Sequence, residues 1–154
     1  MRSFYNQANS TLTPIAPFNY IPSNEHAAWF AIAYTVACIN GDISEEARKT
    51  FCKLITSKSF FSGHQTLDYF FELKRISDLL PPKEIIRAAA RLINTENAPT
   101  LFCIIVEILL TKGYLTRKEE SILDYLSLRL ALDDNLTDKI TEVLLIKNKG
   151  NWIS

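Results

Sequence analysis

The sequence predicts an all-α protein, a bundle of about seven helices in one domain. The chain of 154 residues is 47% hydrophobic but contains only four Gly and six Pro, a composition that favours long regular elements. Apolar residues recur with helical spacing, for example at Leu73, Ile76 and Leu80. No segment is convincingly strand-like. A chain of this length can bury a core without disulfides or a structural metal.

The first residues differ in character from the rest of the chain. Residues 1 to 21 are polar and interrupted by prolines, with scattered aromatic side chains, which indicates an extended arm that packs on the domain or on a neighbour. A single helical domain is expected over residues 22 to 154. Its first helix is predicted to begin at Ser23 or Asn24, residue types that cap helices, and to run to about residue 39. This helix is apolar nearly all round, so we expect it in the core.

A turn at Asn40 and Gly41 separates the first two helices. Glycine readily adopts the left-handed conformation that ends many helices. Ser44 is predicted to cap the second helix, and two acidic residues follow in the first turn, where the helix dipole favours them. The remaining helices are predicted over residues 65 to 80, 82 to 93, 98 to 112, 116 to 130 and 136 to 147.

The chain also contains an internal repeat. A shift of 72 positions places Phe30 on Phe102, Ile32 on Ile104, Gly41 on Gly113, Ser44 on Thr116 and Leu54 on Leu126. Each copy has a buried helix, a glycine turn, a capping hydroxyl residue and an amphipathic helix. In the second copy, Thr116 and Glu119 have the spacing of a capping box. The shared glycine and cap favour a duplication.

Charge and cysteine content exclude several classes of protein. Seventeen Lys and Arg balance seventeen Asp and Glu, whereas nucleic-acid-binding and polybasic membrane proteins need a cationic excess. The longest apolar runs are too short to span a membrane, and the N-terminus lacks the features of a signal peptide. Cys38, Cys52 and Cys103 form no metal-binding or disulfide pattern and are expected to be buried thiols. We therefore expect a cytoplasmic protein.

Residues 40 to 44 and 112 to 119 resemble the signature of the TerB-like family. That signature is an Asp-Gly turn, an aliphatic residue, Ser or Thr, and then Glu, repeated once in an all-helical fold. The resemblance covers roughly residues 22 to 147. It implies a duplicated bundle of seven helices in a cytoplasmic bacterial protein linked to stress and tellurite responses.

The resemblance also implies a divalent-metal site at the two turns, but most of its ligands are replaced. The family's Asp before glycine corresponds to Asn40 and Lys112, and its Glu corresponds to Ala47 and Glu119. Hard cations need several oxygen ligands, and Lys112 would put a positive charge where the ion should sit. We therefore predict no metal or other cofactor. The carboxylates available to a metal would be Asp42, Glu45, Glu46 and Glu119.

Three further residues are candidates for a ligand or partner site. Glu107 lies within an apolar run, so it must be paired, protonated or partly exposed. Arg87 or Arg91 could pair with it, or it could be a site residue in a cleft. Phe60 and Phe61 lie in the break before the third helix, where they either form a contact surface or pack under the loop.

The leading functional hypothesis is a non-catalytic TerB-like module that binds or scaffolds proteins in a stress response. No catalytic motif is present, and His26 and His64 are expected to be solvated. The alternatives are a metal-sensing or metal-sequestering module, and a ligand carrier or enzyme with an apolar cavity near Glu107. The N-terminal arm could swap across a two-fold homodimer. The sequence identifies no particular partner.

Overall fold

Residues 19 to 151 are described by a computed structural model. Within them the chain forms seven α-helices and no strand, which confirms the predicted all-α bundle. The helices are α1 (Glu25–Ala37), α2 (Glu45–Thr56), α3 (Thr66–Ser77), α4 (Pro82–Ala90), α5 (Ala98–Leu109), α6 (Arg117–Arg129) and α7 (Asp134–Lys147). Short 3₁₀ turns follow α2 and α5. Most of the predicted arm lies outside the described residues.

The predicted caps are confirmed where the structure tests them. The Asn24 side chain accepts a hydrogen bond from the Ala27 N–H (2.8 Å) and so begins α1. Ser44 caps α2, and Thr116 caps α6 within a complete capping box. These caps satisfy backbone donors that a helix leaves unpaired at its N-terminus.

Several helix ends differ from the predicted ones. Helix α1 ends at Ala37, α3 at Ser77 and α4 at Ala90, each two or three residues early. The apolar pattern continues past each end because residues in the following turn still pack on the core, as Leu80 does. Helix α7 begins earlier than predicted, at Asp134, since the Asp133 carboxylate caps it.

Helices α1 and α5 lie at the centre of the core. Helix α1 contacts α3, α4 and α5, while α5 contacts α2 and α7 as well. Ile32 of α1 and Leu101 of α5 are completely buried. Because both helices are apolar on nearly every side, they can be surrounded by the amphipathic helices. Their predicted burial is confirmed.

The two copies of the sequence repeat occupy corresponding positions in the fold. Helix α1 packs on α2 and α3, and its counterpart α5 packs on α6 and α7. The contacts between the two copies also correspond, because α1 of the first copy contacts α6 of the second, and α5 of the second copy contacts α2 of the first. Glu25 and Asn97, which are 72 positions apart, are hydrogen-bonded to each other (2.9 Å). This arrangement agrees with an approximate two-fold relation, while common descent of the halves stays a prediction.

Helix α7 is the most solvent-exposed of the seven helices. It packs on α5, and Thr137 is its one buried residue. Val143 and Ile146 are 61% and 68% exposed. Within residues 19 to 151, no helix has both the length and the apolar character needed to cross a membrane.

Candidate functional site

The two glycine turns lie side by side. Gly41 and Gly113 both have left-handed backbone, with φ of +114° and +90°. Asn40 donates a hydrogen bond from Nδ2 to the Thr116 Oγ1 (3.1 Å), which joins the first turn to the cap of α6. No heavy atom outside its chain neighbours would lie within 4 Å of a Cβ added at Gly41. Its backbone angle, not lack of space, therefore favours glycine there.

Glu119 is the centre of a closed polar cluster at the second turn. Its side chain is only 5% exposed, and both carboxylate oxygens lie 2.8 Å from the Lys112 Nζ. It also accepts a hydrogen bond from the Thr116 N–H (2.8 Å). The Lys112 ammonium donates further to the Leu109 carbonyl (2.8 Å) and lies 5.3 Å from the centre of the Tyr114 ring. The buried carboxylate is thus neutralised within the chain.

The residues of the paired turns do not fit a divalent cation. An ion at Glu119 would have to displace the Lys112 ammonium, which already contacts both carboxylate oxygens. Within residues 19 to 151 no three His, Cys, Asp or Glu side chains gather in a way that could hold a metal. Hard cations bind oxygen ligands, and the one buried carboxylate of this cluster is already paired with Lys112. The other proposed ligands, Asp42, Glu45 and Glu46, are exposed.

Glu107 forms an ion pair, but its partner is not one of the two predicted arginines. Its Oε2 lies 2.9 Å from the Nζ of Lys147 at the end of α7. Arg87 pairs instead with Glu84, one turn away on α4, and Arg91 is exposed. The prediction of an Arg partner was wrong because sequence spacing did not reveal that α7, not α4, covers this side of α5. The Glu107 side chain is 18% exposed, at the edge of a groove.

We call this first groove the basic groove; it lies between α2, α5 and α7. Its volume is about 580 Å³, and it is open to solvent. Leu54, Ile104 and Leu144 contribute to an apolar floor. Because Glu107 pairs with Lys147, two lysines without an ion-pair partner among the described residues remain in its lining. The lysines at its edge are Lys53, Lys139 and Lys147.

A second groove lies on the other side of α7, between α6 and α7. We call it the acidic groove; its volume is about 610 Å³. Phe102, Leu123 and Ile146 contribute apolar surface, and no Lys or Arg among residues 19 to 151 lines it. Ser127, which is buried, lines it too. The carboxylates around this groove are Glu120, Asp124, Asp138 and Glu142.

Phe60 and Phe61 pack under the loop and do not form an exposed contact surface. Phe61 is 4% exposed. The His26 ring stacks on two other rings. Its centre lies 4.0 Å from that of Phe60 and 3.7 Å from that of His64. His64 Nδ1 is hydrogen-bonded to the Tyr69 hydroxyl (2.6 Å). The expectation that both histidines are solvated was therefore wrong, since aromatic stacking holds them half-buried.

The three cysteines are free thiols, and one of them is more accessible than predicted. Cys38 and Cys103 are half-buried, and burial raises the pKa of both thiols. Cys52 is exposed, which corrects the expectation that all three are buried. It lies on α2, whose inward face is formed by Phe51 and Ile55. A high thiol pKa means little thiolate, so Cys38 and Cys103 are poor nucleophiles.

Comparison of the chain with protein-family models, with curated proteins and with solved structures finds no match. The TerB-like resemblance therefore remains a prediction that rests on the two turns. The geometry of the described residues defines a helical bundle whose last helix separates two open grooves of opposite charge.

Sequence reasoning offered a cleft or an apolar cavity near Glu107 as one alternative, but it did not name the lysines at the edge of the groove. The lysines at the edge of the basic groove come from α2 and α7, which are far apart in the chain. One local signal was present. In α7, Asp138 and Glu142 recur with a spacing of four, and so do Lys139, Val143 and Lys147. That spacing places acids and bases on different sides of a helix.

Proposed function

We propose that the protein is a non-catalytic protein-binding module and that the basic groove is its binding site. The observation that supports this most is the composition of that groove, an open apolar floor edged by three lysines. Amphipathic helices commonly bind in apolar grooves of this kind. A fitting partner segment would place apolar side chains on the floor and Asp or Glu beside the lysines.

We further propose that the module is TerB-like and acts in a stress response in the bacterial cytoplasm. The side-by-side glycine turns, each followed by a capped helix, are consistent with that resemblance. A role in tellurite resistance would rest on the resemblance alone. Deletion of the gene would then sensitise the host to tellurite, and restoring the gene would reverse the effect.

A displayed library of amphipathic helical peptides tests the proposed binding site. Peptides with acidic residues beside an apolar face are expected to be enriched by the wild-type protein. The double variant K53E/K139E should bind the enriched peptides at least about tenfold more weakly. The variant R75E/D68K is the matched control, because it also changes two charges but lies on α3, which lines neither groove.

The outcome also separates this function from the ligand-carrier alternative. The groove volume of about 580 Å³ is in the range of small-molecule sites. A long-chain fatty acid that binds tightly and loses affinity in K53E/K139E, together with no enrichment of peptides, would favour a carrier. If the enriched peptides bind K53E/K139E as tightly as the wild-type protein, the binding site lies elsewhere.

A further inference from the structure

We propose that the partner of the basic groove is the acidic groove of a second copy of this chain. Two copies would associate through their α7 helices, which lie side by side and parallel about a two-fold axis. This inference rests on the proposed function and names its partner. It follows from the charges on the two sides of α7, the exposed apolar residues that accompany them and the symmetry of a pair.

The two sides of α7 carry opposite charge. Lys139 and Lys147 border the basic groove, whereas Asp138 and Glu142 border the acidic groove. All four side chains are exposed. A helix turns by about 100° per residue, so neighbours in sequence such as Asp138 and Lys139 can lie towards different sides. One surface of this chain is therefore complementary in charge to another surface of the same chain.

The neighbouring helices extend this division of charge. Lys53 of α2 adds to the basic side, and Glu120 and Asp124 of α6 add to the acidic side. The charged strip on each side is therefore wider than α7 itself. A partner that covers α7 would meet lysines along one edge and carboxylates along the other.

Exposed apolar side chains of α7 accompany the charged ones on both sides. Val143 lines the basic groove and is 61% exposed, whereas Leu145 and Ile146 line the acidic groove and are 40% and 68% exposed. Burial of such side chains is the main favourable term in protein association, while charge complementarity selects the partner and its orientation. In a pair of copies these apolar side chains would form the centre of a small interface, with the charged side chains at its rim.

Symmetry determines how two copies fit. If two α7 helices face each other about a two-fold axis parallel to the helices, the acidic side of each lies against the basic side of the other. If the axis is perpendicular and the helices are antiparallel, acidic side meets acidic side and basic side meets basic side. Like charges opposite each other oppose association. The parallel pair is therefore the arrangement that this charge pattern favours, and it forms a closed dimer.

Charge-reversal variants test the pairing by sedimentation or light scattering. The wild-type protein is expected to have twice the mass of one chain at micromolar concentration. The variants D124K/E142K and K53E/K139E should each be monomeric, with a dimer dissociation constant raised about 100-fold or more. An equimolar mixture of the two variants should form a heterodimer, since each then offers the charges that the other needs. R75E/D68K, on α3, is the control and should remain dimeric.

The outcomes separate this inference from the proposed function. The wild-type protein could be monomeric at every concentration and still bind acidic peptides through the basic groove. That result would overturn the proposal that a second copy is the partner, but it would support the proposed protein-binding function. A dimer that persists in both charge variants overturns the proposed interface. Variants that remain monomeric when mixed also overturn it. Circular dichroism of each variant shows that the helices are retained.

Cross-linking tests the parallel orientation. Ile146 and Asn135 lie on the outer side of α7, eleven residues or about 16 Å apart. In a parallel pair, I146C and N135C should each form a disulfide with the same residue of the second copy when a mild oxidant is added. In an antiparallel pair at most one of the two positions can lie opposite itself, so cross-linking of only one variant, or of I146C with N135C in a mixture, contradicts the proposal. The wild-type protein, with its exposed Cys52, and the variant L79C on the surface after α3 are the controls.

Discussion

The Lys112 ammonium takes the place beside Glu119 that a metal ion would need. The cluster is asymmetric, because the Glu119 side chain is 5% exposed while that of Lys112 is 33% exposed. A carboxylate so deeply buried depends on its charged partner, whereas the lysine can still reach water. The second turn is therefore held by an internal cation, and the first turn, with Ala47 at the corresponding position, has no such pair.

Removal of either partner should destabilise the protein, by different amounts. K112M leaves a buried carboxylate without its cation and is expected to lower the free energy of unfolding by about 2–4 kcal/mol. E119Q should cost less, about 1–3 kcal/mol, since the freed ammonium is partly hydrated. Urea denaturation measures both values. The exposed pair of Glu45 and Arg48 is the control: R48M should cost under about 0.5 kcal/mol. Equal losses for K112M and R48M would contradict this account.

His26 makes the stability of the protein depend on pH. Burial lowers its pKa, and the neighbouring His64 lowers it further. The folded state therefore binds a proton at His26 less readily than the unfolded state. The contribution of His26 to stability is present above the ordinary histidine pKa of about 6.5 and is lost as pH falls below it.

The variant H26F keeps an aromatic ring in the stack but cannot be protonated. Thermal unfolding from pH 8 to pH 5 should show a smaller loss of stability on acidification for H26F than for the wild-type protein. The two proteins are compared by the slope of stability against pH, because H26F also changes the stability at neutral pH. Parallel slopes for the two proteins would show that His26 is not the titrating group. Glu25 titrates at lower pH, since hydrogen bonds from Asn97, Asn94 and Trp29 outweigh burial and lower its pKa.

At the scale of elements, the end of α6 is strained in a way that can be relieved. Helix α6 ends in two hydrogen bonds, from the Ala131 N–H to the Leu128 carbonyl (3.1 Å) and from the Leu132 N–H to the Ser127 carbonyl (3.0 Å). This is a Schellman motif, whose first residue beyond the cap is usually glycine. Ala131 occupies that position with φ of +56°, the one positive φ among the described non-glycine residues. A left-handed conformation costs alanine about 1–2 kcal/mol.

The variant A131G is therefore expected to stabilise the protein. The gain should be about 0.5–1 kcal/mol, because the greater freedom of glycine in the unfolded chain offsets part of the relief. Differential scanning calorimetry would record a higher Tm. A131V should be less stable than the wild-type protein, since a β-branched residue fits this conformation poorly. A lower Tm for A131G would mean that the left-handed conformation at Ala131 is not strained.

At the scale of the whole molecule, small residues set the spacing of the core helices. Helix α4 packs on α1, and Ala28 of α1 and Ala89 of α4 are both completely buried. Protein interiors are close-packed, so larger side chains at such positions force helices apart. The central position of α1 thus depends on alanine as much as on the large apolar residues.

The variant A89L tests this requirement. It is expected to lower the free energy of unfolding by about 1–3 kcal/mol through overpacking. A88L is the matched control, because the neighbouring Ala88 is only half-buried and the added atoms can extend into solvent. Urea denaturation of both variants provides the comparison. If A89L is as stable as A88L, the contact between α1 and α4 does not require alanine and this account is wrong.

Sequence reasoning was accurate for features that depend on adjacent residues and less accurate for features that depend on residues far apart in the chain. The caps at Asn24, Ser44 and Thr116 were predicted because a cap depends on a few adjacent residues. The ends of α1 and α3 were overestimated, since apolar periodicity reports burial and not helical hydrogen bonding. The partner of Glu107 was missed, because Lys147 is forty residues away and only packing brings the two together.

The amino-acid sequence alone determined the helices, their caps and the two glycine turns, since these arise from local backbone preferences and the spacing of apolar residues. Only the tertiary structure decided that α7 covers α5, that Lys147 pairs with Glu107 and that Lys53 of α2 joins the lysines of α7 along one groove. These features need side chains from distant parts of the chain to meet. Their free energy comes from packing, which no local pattern encodes.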